Sequence, residues 1–355
     1  MATQTILVLG ATGKQGGATI KSLLDRPKDA SPIHILALTR NPSSPAAQTL
    51  ATAHPDVVEL VQGDSTTPEP IFSARPKGSI HAVYVVTLPG KVSEETQAIP
   101  LIEAAVAHGV QHIVLSSVDR GGDEKSWTNP TKIKHFYEKH NIELHLRELA
   151  RAQPGKFTWT ILRPVAFLDN WAPGMMGKMF SAMIAASMKP TTKLQLVSAR
   201  DIGMFAAAAL TDPERWAGRA VGLAGDELTL GEAQEKFERV TGQTLPQTWT
   251  FLGSLLLWMV ADVGNMFAFF EEEGYGADIE ARRRELPTQD FETWLREGSQ
   301  FEYSDIFLGS SPSRNRNAAH PPARRKARAK YPNTDTAFQQ SQNKLVLNSP
   351  DGLAV

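Results

Sequence analysis

Gly10-Ala11-Thr12-Gly13-Lys14-Gln15-Gly16-Gly17 places three glycines at intervals of three, directly after the apolar run Thr5 to Leu9. That spacing suits a backbone that must turn tightly and then start a helix pointing its free N–H groups at an anion. Gly10 would permit the turn, Gly13 the close approach of a pyrophosphate, and Gly16 the close packing of the helix. An ordinary strand-to-helix turn is the plainer alternative.

The next residue with chemistry to offer is Arg40, in Leu38-Thr39-Arg40-Asn41. It lies 24 positions beyond Gly16 (40 minus 16), near the offset of ~20 at which a dinucleotide fold presents an acid to the adenosine ribose diol. Arginine in place of that acid favours a 2′-phosphate, to which its planar fork can donate two charge-assisted hydrogen bonds. NADP is therefore the expected cofactor, with a solvated surface arginine as the alternative.

The third group is the run His135-Phe136-Tyr137-Glu138-Lys139-His140-Asn141-Ile142-Glu143. Lys139 and Glu143 stand one helical turn apart, so a surface ion pair is the plainer alternative to an ammonium that holds a cofactor's ribose hydroxyls. None of the five tyrosines is followed by lysine at the fourth position, and Tyr137 projects from a different helix face than Lys139. Reduction of a carbonyl with a tyrosine acid thus has no support, and Lys139 or a hydroxyl such as Thr87 or Ser117 would have to assist. Ser116 and Ser117 close an apolar run and are read either as ligand-facing hydroxyls or as turn and cap residues. His135, His140 and His145 recur every five residues, which rotates each by ~140° and prevents a shared metal. The absence of cysteine removes thiolate chemistry and disulfides.

These groups need a frame. Short apolar runs without alternation, Thr5 to Leu9, Ile33 to Thr39, Val57 to Val61, Ala82 to Val86, His112 to Ser116 and Thr158 to Leu162, predict strands covered on both faces. Helical segments fall between them at Gly16 to Leu24, Glu95 to Ala107 and Lys132 to Ala152, and further ones at Ile202 to Leu210 and Leu230 to Val240. The alternation predicts an α/β protein with a doubly wound parallel sheet of the Rossmann type. We assign residues 1–306 to one folding unit, with a Rossmann core over about 1–170 and a smaller substrate-side subdomain over about 171–306. Phe251 to Phe270 reads as a buried or cleft-lining helix, because Asp262 and Asn265 interrupt it as a membrane span. Residues 307–355, with the basic run Pro321 to Lys330, have the composition of a disordered tail. A net charge of -1 supplies no general field for nucleic acid or anionic membrane. An early strand leaves no room for a signal peptide, so a cytoplasmic and conceivably nuclear location is expected.

Together with Gln62-Gly63-Asp64, Arg163-Pro164 and the segment Phe167 to Asn170, these motifs closely resemble the NmrA-like branch of the short-chain dehydrogenase/reductase superfamily, from about Thr5 to Glu297. The resemblance implies that Ala11, Thr12, Gly13, Lys14, Gln15, Gly16, Thr39, Arg40 and Asn41 contact the adenine-side phosphates, with Asp64 near the adenine. It also implies that Thr87, Leu88 and Pro89 line the nicotinamide side and that Phe167, Leu168, Asp169 and Asn170 close over it. Lys139 matches the lysine placed beside the nicotinamide ribose and is the candidate catalytic residue. Ser44 departs from members that carry a second basic residue there. The family holds enzymes and regulators, so two functions follow. One is an NADP-dependent oxidoreductase acting on a small, largely apolar substrate, roofed by Met175, Met176, Met179, Phe180 and the Phe251 to Phe270 helix. The other is an NADP(H)-binding redox sensor that docks on a transcription factor.

Overall fold

A computed structural model describes residues 3–27 and 29–301; the predicted tail lies outside the described residues. Seven strands form one parallel sheet: β1 (Gln4–Val8), β2 (Ile33–Thr39), β3 (Val58–Gln62), β4 (Ala82–Val85), β5 (His112–Ser116), β6 (Thr158–Pro164) and β9 (Arg219–Leu223). Their spatial order is β3-β2-β1-β4-β5-β6-β9, the doubly wound arrangement in which the strand order reverses beside β1.

The inner strands read as near-continuous apolar runs because both of their faces are buried. Ile6, Val8, Ile35, Ala37, Tyr84 and Val114 enter one core, whereas Leu7, Leu36, Val83, Val85, Ile113 and Leu115 enter the opposite one. Helices α1 (Lys14–Leu24) and α7 (Ala199–Thr211) cover the first face through Ile20, Leu23, Ile202 and Phe205. The second face is covered by α4 (Glu94–Ala107) and α5 (Lys134–Ala152), through Leu101, Ile102, Ile142 and Leu146. Shorter helices α2 (Pro45–Ala53) and α3 (Glu69–Ser73) flank β3 in the chain, α8 (Pro213–Trp216) precedes β9, and α12 (Ile279–Glu285) lies near the end of the described residues.

A second, aromatic-rich core joins α6 (Met175–Ser187), α9 (Leu230–Thr241), α10 (Thr250–Met259), α11 (Ala261–Glu272) and α13 (Phe291–Glu297) to a small sheet of β7 (Ala166–Phe167), β8 (Leu194–Val197) and β10 (Asp226–Leu228). The chain does not divide near residue 170 as the sequence suggests. Both α7 and β9 return to the first sheet, because β6 and the apolar face of α1 need cover that the first 170 residues do not provide.

The run Phe251 to Phe270 is also not one helix. Helices α10 and α11 meet at 114° around Val260. The start of α11 is tied to α5, since Asp262 accepts the Lys134 N–H and pairs with His135 at 2.8 Å. α11 buries one face through Val263, Met266, Phe267, Phe269 and Phe270, but α10 leaves Phe251, Leu255, Trp258 and Met259 exposed. No single described helix is long and apolar enough to cross a membrane.

Candidate functional site at the carboxyl edge of the sheet

In a parallel sheet all strands end on the same edge, so the segments following β1 to β6 are gathered there however far apart they are in sequence. That edge therefore carries Gly10 to Gly16, Arg40, Asp64, Thr87 to Pro89, Ser117 and, beyond β6, Phe167 to Asn170.

The glycine loop has the geometry its spacing predicts. Gly10 adopts φ 61°, a left-handed conformation that side-chain-bearing residues rarely take. A Cβ on Gly16 would lie 2.2 Å from the Gly10 carbonyl oxygen, so the helix can start this close to β1 only with glycine there. Gly13 caps α1 without a side-chain hydrogen bond, and the first turn contains no acid. The first N–H groups of α1 are thus left for an external acceptor at the positive end of the helix dipole. Gln15 turns inward, where its Oε1 accepts from Ser116 Oγ at 2.6 Å and from Tyr84 OH at 3.1 Å.

Arg40 is exposed at the end of β2. Asp64, after β3, accepts from the Thr66 N–H and hydroxyl; these bonds lower its pKa, and the Arg40 charge adds to the effect. Thr39 and Asn41 shape the turn between them, Thr39 Oγ1 accepting the Asn41 N–H and Asn41 Oδ1 the Ser43 N–H. Ser44 caps α2 by accepting the Ala47 N–H at 3.4 Å.

Lys139 does not form the i,i+4 pair with Glu143 that their spacing allows. It is buried, and its Nζ donates to Thr87 Oγ1 at 3.0 Å and to Glu94 Oε2 at 2.5 Å. The Thr87 hydroxyl donates to the same Glu94 oxygen, while Glu138 Oε2 accepts the Glu94 N–H at 2.9 Å. Leu88 beside this group is 59% exposed, and its carbonyl and N–H are both held by the Gln97 amide.

Glu143 faces the other way, into the protein. Both of its oxygens are gripped by Arg120 and Arg163, with Nη2 of each 2.8 Å from Oε2 and all three side chains fully buried. Arg163 also lies 4.3 Å from the Trp127 ring centre.

Other expectations are corrected by burial. Ser116 is 1% exposed and its hydroxyl is committed to Gln15, Ser117 is buried and accepts from Arg120, and neither caps a helix. Leu168 and Phe180 are core side chains rather than cleft lining, and Phe167 is also buried, leaving Asp169 and Asn170 as the partly exposed part of that segment. Asp169 Oδ2 accepts the Ala199 N–H that opens α7. Of the methionines in that roof, Met175 is exposed. The three histidines separate as their spacing requires. His135 pairs with Asp262 and His145 with Glu103, while burial and then the charge of Arg120 lower the pKa of His140. No metal-binding group occurs among the described residues.

Glu94 is the residue that sequence reasoning missed. Ser93-Glu94-Glu95 reads as an N-cap followed by first-turn acids, and Ser93 does accept the Thr96 N–H. That local explanation conceals a side chain that is completely buried against another helix.

Comparison with known proteins places this geometry. The NmrA-like family model matches residues 2–295. The NmrA-like family domain-containing oxidoreductase hkm9 of Aspergillus hancockii is 30% identical over 262 residues, covering 68% of this chain and 73% of the relative. Among solved structures, NmrA, a negative transcriptional regulator, in complex with NADP aligns with TM-score 0.64 and 18% identity, covering 84% of this chain and 96% of the other. The NADPH-dependent quinone oxidoreductase QOR2 of Escherichia coli, complexed with NADPH, aligns with TM-score 0.61 and 20% identity over 83% and 99%. Both likenesses are of fold.

Proposed function

The chain belongs to the NmrA-like family, and we propose that within it this protein is an NADP-dependent oxidoreductase acting on a small, largely apolar substrate. The observation that carries the reading is Lys139, a buried ammonium held just beyond β4 with one of its three N–H donors uncommitted among the described residues. A surface lysine with a cosmetic ion pair would need no such support.

The remaining residues fit the cofactor. The uncapped, acid-free start of α1 suits a pyrophosphate, and exposed Arg40 suits the 2′-phosphate. When bound, the nicotinamide supplies or accepts hydride. The chain's own part is to hold the ribose through the free Lys139 donor, to keep Thr87 oriented at the cleft edge, and to supply a proton donor at Lys139 Nζ. Tyr84 takes no part: it is buried on Gln15, and burial pushes its pKa up to about 12. The exposed apolar residues Leu88, Val92 and Met175 are consistent with an apolar substrate on this side. We place its action in the cytoplasm, where NADPH is available.

The second reading is a redox sensor that binds NADP(H) without turnover and docks on a regulatory protein. It is favoured by Tyr137, which is 49% exposed while Lys139 is buried, so this neighbouring tyrosine does not supply an acid beside the lysine. The discriminating measurement follows NADPH absorbance with purified protein against aldehydes, quinones, imines and enones, after NADPH binding has been shown. Turnover on one class supports the oxidoreductase. Tight binding without turnover on any class, and a partner protein whose affinity follows the cofactor's redox state, supports the sensor.

A further inference from the structure

Glu94 is fully buried, yet only one of its oxygens is occupied. Oε2 receives both the Thr87 hydroxyl and the Lys139 ammonium, whereas Oε1 is buried with no hydrogen-bond partner among the described residues. A buried carboxylate kept for stability alone normally has both oxygens satisfied, because each unpaired one carries a desolvation cost. The arrangement costs stability in order to hold something in place.

What it holds is Lys139. An ammonium carries three donors on a flexible stem and, left alone, samples many directions. Thr87 and Glu94 take two of those donors from the segment just after β4 and from the start of α4, which fixes the direction of the third. The backbone of Glu94 is itself pinned by Glu138, the neighbour of Lys139 on α5, so the two helices and the strand end are cross-linked at one point. We infer that Glu94 is a positioning residue that aims the remaining Lys139 N–H at the nicotinamide ribose and the reacting substrate. The kinetic arm of this inference rests on the oxidoreductase reading, and the binding arm rests only on the cofactor.

The test is a double-mutant cycle of Glu94→Gln and Lys139→Met in the full chain, read by NADPH fluorescence titration and by kcat and KM. Each single variant is expected to weaken NADPH by about 3- to 10-fold, the range for one hydrogen bond. The double variant should bind no more weakly than Lys139→Met alone, because Glu94 acts through the lysine. In turnover, Glu94→Gln should lower kcat by at least about tenfold while substrate KM stays within about twofold. Additive losses in the double variant, or unchanged affinity in Glu94→Gln, would overturn the assignment. If Glu94→Gln does not fold, Glu94→Asp is carried through the same cycle with the same two outcomes. Should wild type turn over no substrate while the affinity losses remain non-additive, the positioning role stands and the oxidoreductase reading falls.

Discussion

Helix α5 presents two buried charge clusters one turn apart, and they are built on different principles. At Glu143, four N–H···O contacts from Arg120 and Arg163 satisfy both carboxylate oxygens, and no member of the cluster is exposed. At Lys139, one Glu94 oxygen lacks a partner, one ammonium donor is uncommitted, and the lysine side chain retains 9% exposure at the sheet edge. A closed cluster has no capacity left for a ligand. An open one still has an ammonium donor to offer, which is why we assign structure to the first and chemistry to the second.

The comparison can be broken most forcefully at Glu143. Glu143→Gln leaves two buried guanidinium groups without their counter-charge and should cost about 3 to 5 kcal/mol of stability, read as the shift in a urea or thermal midpoint. A loss below that of Lys139→Met would invert our assignment.

Lys139→Met should do the opposite, with kcat falling by about 100-fold, a cost near 2.7 kcal/mol, while NADPH affinity changes much less. Equal losses in kcat/KM and NADPH affinity would mean that the lysine serves binding alone.

Arg40→Ala should weaken NADPH by about 1.5 to 3 kcal/mol, as for hydrogen bonds to a charged group, and leave NADH nearly unaffected. Titration with both cofactors checks it, and the same loss for each would remove the 2′-phosphate assignment.

A smaller effect follows from pH. Burial pushes the Glu143 carboxyl upward, but the charges of Arg120 and Arg163 and their hydrogen bonds outweigh it and hold its pKa below the usual value. Its stabilising contribution is therefore complete above the unfolded carboxyl pKa of about 4.3 and is lost as pH falls through the lower folded value. Glu143→Gln should flatten the acid limb of the stability curve, and an unchanged limb would show that other carboxylates govern it.

The smallest effect is expected from removing the residues after Ser304, whose sequence has no periodic apolar face to bury. Both clusters should be indifferent to the truncation, with the melting temperature and NADPH affinity nearly unchanged.

Much of the frame was legible because its signals are local. Ile33 to Thr39 and His112 to Ser116 coincide with β2 and β5, since an apolar β-branched run states its own conformation within a few residues. The Phe251 to Phe270 run was misread for the complementary reason. Composition along one window gives no sign that Asp262 will be captured by the start of α5, which bends the chain at Val260.

By itself, then, the sequence determined the alternating strands and helices, the glycine turn that leaves α1 uncapped, and the basic residue at the end of β2. Each depends on backbone preference or side-chain type within one turn or one strand. Partner choice among buried charges was left to the tertiary structure. Locally, Lys139 and Glu143 satisfy the i,i+4 rule, but packing Ile142 and Leu146 against the sheet rotates α5 so that Glu143 meets Arg120 and Arg163. The placement of β4 next to β5 brings Glu94, 45 residues away, to Lys139 instead. Burial makes that exchange decisive, because a charge removed from water must be met by whichever counter-charge the fold brings within hydrogen-bond reach.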